Sequence, residues 1–378
     1  MKHRLPLIAV LLLMLASIPA VSQTNLYDSI FVDGRWRTFY QHLPTGFNAA
    51  KRYPLVLAFH GGAPMGYQSI QFQSGLTEKA DAEGFILVYP EGYRIAGVYT
   101  FNAGACCAPA TTMNIDDVGY VDALLNTLRA RLPIDTTRVY ATGFSNGALL
   151  CYRLANQLTH RFAAIAPVAG CLVYYPWTPT RALPIISFHS YKDQNVKYSG
   201  GVTVGSTDTY FPPQDSILGV ISANYSCSKQ KDTISHQVNA YDHFVYSDCS
   251  CGAVIEQYVS YDGEHSWPGG KARGTTTVSA QFNATDLMWQ FFQRYTTACQ
   301  TTSVPTLSSI ESPLAFPNPF HGRIAVRYST GPEPTSLFNS VGELIWSGSD
   351  IEQQDFAPLP AGLYLVLVRG QLQMLVKE

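Results

Sequence analysis

The stretch RVYATGFSNGALLCYRL, Arg138 to Leu154, decides the fold. Val139, Tyr140 and Thr142 are residue types that favour a strand. From Ala148 the apolar residues recur at helical spacing, which predicts a helix to Leu158. Between the two lies Gly143-Phe144-Ser145-Asn146-Gly147, a serine between two glycines at a strand-to-helix corner. Such a corner is either a tight structural turn or a nucleophile held out toward substrate. The G-x-S-x-G spacing suits the second, because glycines clear side chains from a strained turn and leave the Ser145 hydroxyl exposed.

Working outward, short apolar runs end in turn residues at Leu55–Phe59, Phe85–Pro90, Val139–Thr142, Ile165–Gly170, Pro184–His189 and Ile255–Tyr261. Unbroken apolar runs of this length fit strands buried on both faces of a mostly parallel sheet. Helical patterns alternate with them. Val118, Val121, Leu124, Leu125, Leu128 and Leu132 form one stripe, with Asp116 or Asp117 as its cap. A further helix is predicted over Asn283–Tyr295, capped by Asn283 and facing inward with Leu287, Phe291 and Phe292. Ahead of these, Asp33-Gly34 between alternating residues signals a hairpin. The expected fold class is α/β: an α/β-hydrolase whose mostly parallel central sheet carries helices on both faces, followed by a small C-terminal all-β sandwich.

A serine needs a base and a group to orient that base. In this fold the order along the chain is Ser, acid, His. Asp193 falls just past the strand ending at His189, and His265 just past the strand ending at Tyr261, at the strand ends where such sheets bind ligands. Ser145, Asp193 and His265 are therefore the candidate catalytic residues. His189 is too close to Asp193 to partner it and is given a structural hydrogen bond. His243 reads as a polar loop, as do Asp208 and Asp215, while Asp262 and Glu264 merely flank His265. The loop FHGGAP after Leu55–Phe59 offers backbone N–H groups for an oxyanion. Gly62 and Asn146 are assigned there, with Ala63 as rival. Aromatic residues in nearby loops, Tyr175, Trp177 and Trp267, are candidates for stacking on an acyl group or a sugar.

A formal net charge of -2 with 14% charged residues gives no electrostatic case for nucleic acid or an anionic membrane. The basic start MKHR, the apolar run Leu5–Ile18 and Ala20-Val21-Ser22 read as a signal peptide over residues 1–22, cleaved before Gln23. The eight cysteines lie between Cys106 and Cys299. An even count in an exported chain favours disulfides over metal, and no metal or cofactor is expected. Pairing is open, and the adjacent Cys106 and Cys107 are expected to have distant partners or stay reduced. After the α/β domain, residues 23–299, comes a polar linker at 300–312 and a β domain at 313–378.

The pieces LVLAFHGG, VYPEG, NAGACC, DDVGYVDALL, IDTTRVYATGFSNGALLCYRLA, RFAAIAPVAG, ISFHSYKDQNVKYSGG and EHSWPGG together resemble the secreted esterases that include feruloyl esterases of carbohydrate esterase family one and LpqC-like polyhydroxybutyrate depolymerases. The resemblance implies the same three residues as nucleophile, acid and base. It also implies a pairing of Cys227 with Cys249 or Cys251. The tail, with FPNPF and LPAGLYLVLVRGQLQMLVKE, resembles a type IX secretion sorting domain. That implies the type IX secretion machinery as partner and a secreted or cell-surface location. The expected function is a serine esterase removing feruloyl or acetyl groups from plant polysaccharide. Polyester depolymerisation is the second candidate, and an inactive surface binding protein the remote one.

Overall fold

The computed structural model describes residues 25–62, 64–174, 176–202, 209–237, 240–299, 315–326, 334–339, 344–368 and 371–378. The signal-peptide and linker expectations lie outside these residues. The chain divides into two compact units, Met1–Thr302 and Ser303–Glu378.

The first unit opens with strands β1 (Leu26–Val32) and β2 (Arg35–His42), joined by Asp33 and Gly34 at φ 51° and 70°. These left-handed values are what a two-residue hairpin requires and what Asp-Gly tolerates. Strands β3 (Tyr53–Phe59) and β4 (Ile86–Pro90) flank two short helices, α1 (Tyr67–Ser74) and α2 (Leu76–Glu83). A small hairpin, β5 (Tyr93–Ile95) and β6 (Val98–Thr100), follows. Then come α3 (Asp117–Arg131), β7 (Ile134–Phe144), α4 (Asn146–Gln157), β8 (Ala164–Val168) and β9 (Ile185–Ser190). Beyond a two-residue pair, β10 (Gly201–Val202) and β11 (Tyr210–Phe211), run α5 (Gln214–Asn224), β12 (Lys229–Gln237), β13 (Tyr241–Ser247), β14 (Ile255–Ser260) and α6 (Ala284–Phe292).

Ten strands form one sheet in the order β1-β2-β4-β3-β7-β8-β9-β14-β13-β12. The inner pairings from β4 to β14 are parallel and the outer ones antiparallel. The parallel strands are buried on both faces, so β3 and β4 have no exposed position. Alternate residues feed two cores. Leu55, Leu57 and Phe59 join α3, α4 and α5 through Leu124, Leu149 and Ile217. Val56 and Ala58 join α1, α2 and α6 through Ile70, Ala80 and Met288. The caps fall where the sequence places them: Asp116 Oδ1 accepts from Gly119 N–H at 2.8 Å, and Asn283 Oδ1 from Asp286 N–H at 3.0 Å. The fold is the α/β hydrolase.

Two loop expectations are corrected. His243 lies in β13, its ring stacked 4.0 Å from that of Tyr258 and its Nε2 3.1 Å from Glu256 Oε2. Asp215 lies in the first turn of α5, where its carboxylate accepts from the Tyr198 hydroxyl at 2.6 Å. Asp208 is outside the described residues.

The second unit holds a pair, β15 (Ala315–Phe316) and β16 (Ala325–Val326), and an antiparallel sheet ordered β18 (Leu344–Gly348), β17 (Thr335–Asn339), β19 (Gly362–Val368), β20 (Gln371–Lys377). Its own core includes Phe320, Ile324, Leu337, Ile351, Val366 and Leu375.

Candidate active site

The corner between β7 and α4 is built by close approach. A Cβ on Gly147 would stand 2.2 Å from Phe59 O, and one on Gly143 would stand 2.5 Å from the Gly147 backbone. Both contacts are with main chain, which cannot swing aside, so only glycine lets the start of α4 cross between β7 and the end of β3. Ser145 between them has φ 53° and ψ -118°, a positive φ that a non-glycine residue adopts only under strain. The turn is held by Ser145 N–H donating to Val168 O at 2.9 Å.

At this corner three side chains meet from the ends of β7, β9 and β14. The Ser145 hydroxyl lies 2.9 Å from His265 Nε2. His265 Nδ1–H donates to Asp193 Oδ2 at 2.7 Å, leaving Nε2 as the acceptor for the hydroxyl proton. Asp193 Oδ1 accepts from the N–H groups of Asn195 and Val196, each at 2.8 Å. Burial pushes the Asp193 carboxyl up. The charge and hydrogen bond of His265, with His189 and the Val196 amide, pull harder and hold it below the ordinary carboxylate range. His189 serves structure: its Nε2–H donates to Val196 O at 2.6 Å.

The candidate oxyanion loop is drawn against this corner. A Cβ on Gly61 would stand 3.1 Å from the Phe144 ring and 3.2 Å from Ser145 Cβ. His60 fixes the loop by donating from Nδ1 to Gly61 O at 2.6 Å and accepting from Gly92 N–H at Nε2, 2.9 Å. Burial drives its pKa down to about 4, so the ring is neutral and keeps the acceptor that Gly92 needs. Gly62 and Asn146 both line the cleft beside Ser145. Asn146 is the first residue of α4, so its N–H lacks a helical partner and points with the positive end of the helix dipole. Ala63 is outside the described residues.

The cleft has a volume of 1220 Å³, and Ser145 and His265 lie in its lining. Two of the stacking residues proposed from sequence, Trp177 and Trp267, are absent from that lining. Trp267 is fully buried beneath α6, with its indole N–H donating to Thr285 Oγ1 at 2.9 Å. Trp177 is buried 6.2 Å from the Tyr225 ring. Both rings gain more from core burial than an exposed stacking position would give them. Tyr175 is outside the described residues.

Sequence reasoning missed two further features. The Asn146 carboxamide clamps Phe101, accepting from its N–H at 2.7 Å and donating to its C=O at 2.9 Å. Cys106 and Cys107, given distant partners or free thiols above, are bonded to each other. The peptide between them is cis, which brings their Cα atoms to 3.0 Å. The remaining bridges are Cys227–Cys249 and Cys251–Cys299, and Cys151 and Cys171 are free and buried. Among the described residues no cluster of side chains could hold a metal ion.

Residues 38–212 match the family model described as esterase PHB depolymerase. Over 238 residues the chain is 30% identical to a bifunctional acetylxylan esterase/xylanase of Neocallimastix patriciarum, covering 62% of this chain and 31% of that protein. It is 24% identical to feruloyl esterase C of Emericella nidulans over 261 residues, 68% of this chain and 83% of the relative. Thus the chain spans about a third of the first relative's length and most of the second's. Among solved structures, an acetyl xylan esterase from Aspergillus awamori shares the fold with a TM-score of 0.50 at 14% identity, over 71% of this chain and 99% of that one. The sequence relatives named here are carboxylic ester hydrolases.

Proposed function

We propose that this protein is a serine carboxylic-ester hydrolase in which Ser145 attacks, His265 shuttles the proton and Asp193 orients the imidazole. His265 Nε2 takes the Ser145 proton as Oγ adds to the ester carbonyl. The backbone N–H groups of Gly62 and Asn146 receive the negative oxygen, each contributing about 3 kcal/mol to the tetrahedral intermediate. His265 then hands its proton to the departing alcohol. Water, deprotonated by the same nitrogen, frees the acyl group and restores Ser145. The observation that carries this reading is the unbroken hydrogen-bond chain from Ser145 Oγ through His265 to Asp193.

The substrate we propose is a feruloyl or acetyl ester of plant polysaccharide, supported by the acetylxylan esterase and feruloyl esterase relatives. The description of the matching family model favours a second reading, a hydroxyalkanoate polyester. We further propose that the chain is exported and that its C-terminal unit engages the type IX secretion machinery. The disulfides of the first unit fit an oxidising location.

A fluorophosphonate probe should label Ser145 in the wild type and fail on Ser145→Ala. Absence of wild-type labelling would overturn the mechanism. Parallel assays on methyl ferulate, acetylated xylan and polyhydroxybutyrate decide the substrate.

A further inference from the structure

A disulfide between neighbouring cysteines occupies the wall of the reaction cleft. Cys106 and Cys107 line it together with Ala108 and Pro109. Cys106 is buried against the core and Cys107 is half-buried, so the bridge has the core behind it and the cleft in front. Its backbone is fastened at both residues. Cys106 O accepts from Ala103 N–H at 2.7 Å, Cys107 N–H donates to Phe101 O at 3.3 Å, and Cys107 O accepts from Thr111 N–H at 3.1 Å. Phe101 is in turn held on both sides by Asn146, the residue next to the nucleophile. The following residue, Asn102, donates its N–H to Asp117 Oδ2 at 2.6 Å, and Asp117 is buried in an ion pair with Arg37 at 2.5 Å. The bridge is thereby registered to Ser145 through main-chain and buried side-chain bonds.

The chemistry of this wall is distinctive. Two thiols would be weak donors, whereas the bonded pair has no donor hydrogen and presents polarisable sulfur, which suits an aromatic ring. Ile95, Val98 and Leu149 line the same cleft as further apolar groups, while Lys192, Gln194, Glu264 and Arg273 supply its polar part. An acetyl group is too small to use an apolar surface of that extent.

We propose that the Cys106–Cys107 disulfide is a specificity-determining surface that receives the aromatic ring of the acyl group, making aryl-acrylic esters of the feruloyl kind the preferred substrates over acetyl esters. This assignment rests on the hydrolase function proposed above and narrows it.

The test compares p-nitrophenyl ferulate with p-nitrophenyl acetate, which share a leaving group, in the wild type and in a full-length Cys106→Ala/Cys107→Ala variant. Fluorophosphonate labelling of Ser145 verifies that the variant is folded. The ratio of kcat/KM for ferulate over acetate should fall about tenfold or more, through KM. An unchanged ratio in a labelling-competent variant overturns the proposal. A second measurement needs no change at the bridge: Ser145→Ala crystals are soaked with methyl ferulate. A ring within about 4 Å of the two sulfurs supports the proposal, and a ring seated on Gln194 and Arg273, or no bound ferulate, overturns it. If the wild type neither labels nor cleaves either ester, the hydrolase function itself fails, while the soak still judges the wall.

Discussion

At Ser145 the backbone and the hydroxyl are under separate constraints, the first set by two glycines and the second by His265. Ser145→Ala should lower kcat on p-nitrophenyl acetate by about 10⁴-fold or more, and adding His265→Ala should cost little further, because the two act as one unit. Asp193→Asn, which keeps shape but reverses the hydrogen bond to Nδ1, should cost on the order of 10⁴-fold in kcat. His60 gives a pH prediction of different origin. Its pKa is about 4 in the fold and about 6.5 in the unfolded chain. Between those values the unfolded state binds a proton that the native state refuses. The contribution is therefore fully present above pH 6.5 and is lost as pH falls toward 4, on the order of 3 kcal/mol in all. Urea unfolding across that window should show a flatter stability profile for His60→Asn than for the wild type; equal slopes would refute the assignment. The convergence of Ser145, Asp193 and His265 was legible in the sequence because strand ends and glycine spacing mark positions where side chains are aimed. The clamp made by the Asn146 carboxamide was not legible, since its partner Phe101 lies 45 residues away. Trp177 and Trp267 misled because an aromatic residue in a loop has the same sequence appearance whether its ring faces a cleft or a core.

Among the elements, the crossing of α4 over the end of β3 is the least forgiving. Gly147→Ala would drive a methyl group into Phe59 O and His60 O. The expected cost is about 1–3 kcal/mol, with activity falling further because the same shift moves the proposed oxyanion loop. A paired measurement of unfolding free energy and kcat separates the two effects, and an unperturbed variant would show that the crossing is looser than its geometry implies. The parallel strands were readable as apolar runs, and α3 and α6 as stripes with caps. Helices α1 and α2 were not, being eight residues each and separated by Gly75 at φ 66° without a side-chain cap between them. Strand β13 was hidden by a polar residue on its inward face. Asp242 is buried there and accepts the Tyr191 and Tyr261 hydroxyls at 2.7 and 2.8 Å, which breaks the apolar alternation that would announce a strand.

For the whole molecule, the sequence marked the change from α/β to β composition near Cys299, and the two compact units each carry a core of their own. Spacing alone could not reveal which cysteines join, because pairing depends on how distant segments meet; the resemblance implied Cys227 with Cys249 or Cys251, and Cys227–Cys249 is present. Cys251 and Cys299 are 48 residues apart and close a loop that ends beyond α6. Every one of the eight cysteines precedes residue 300, so the three bridges belong to the first unit and the second contains no disulfide. Dithiothreitol should therefore act on one of two signals in a scanning-calorimetry trace. The heat absorbed by the first unit should move to lower temperature, each long-range bridge accounting for about 2–4 kcal/mol, while the β unit melts where it did before. A reductant that displaced both signals together would overturn this expectation.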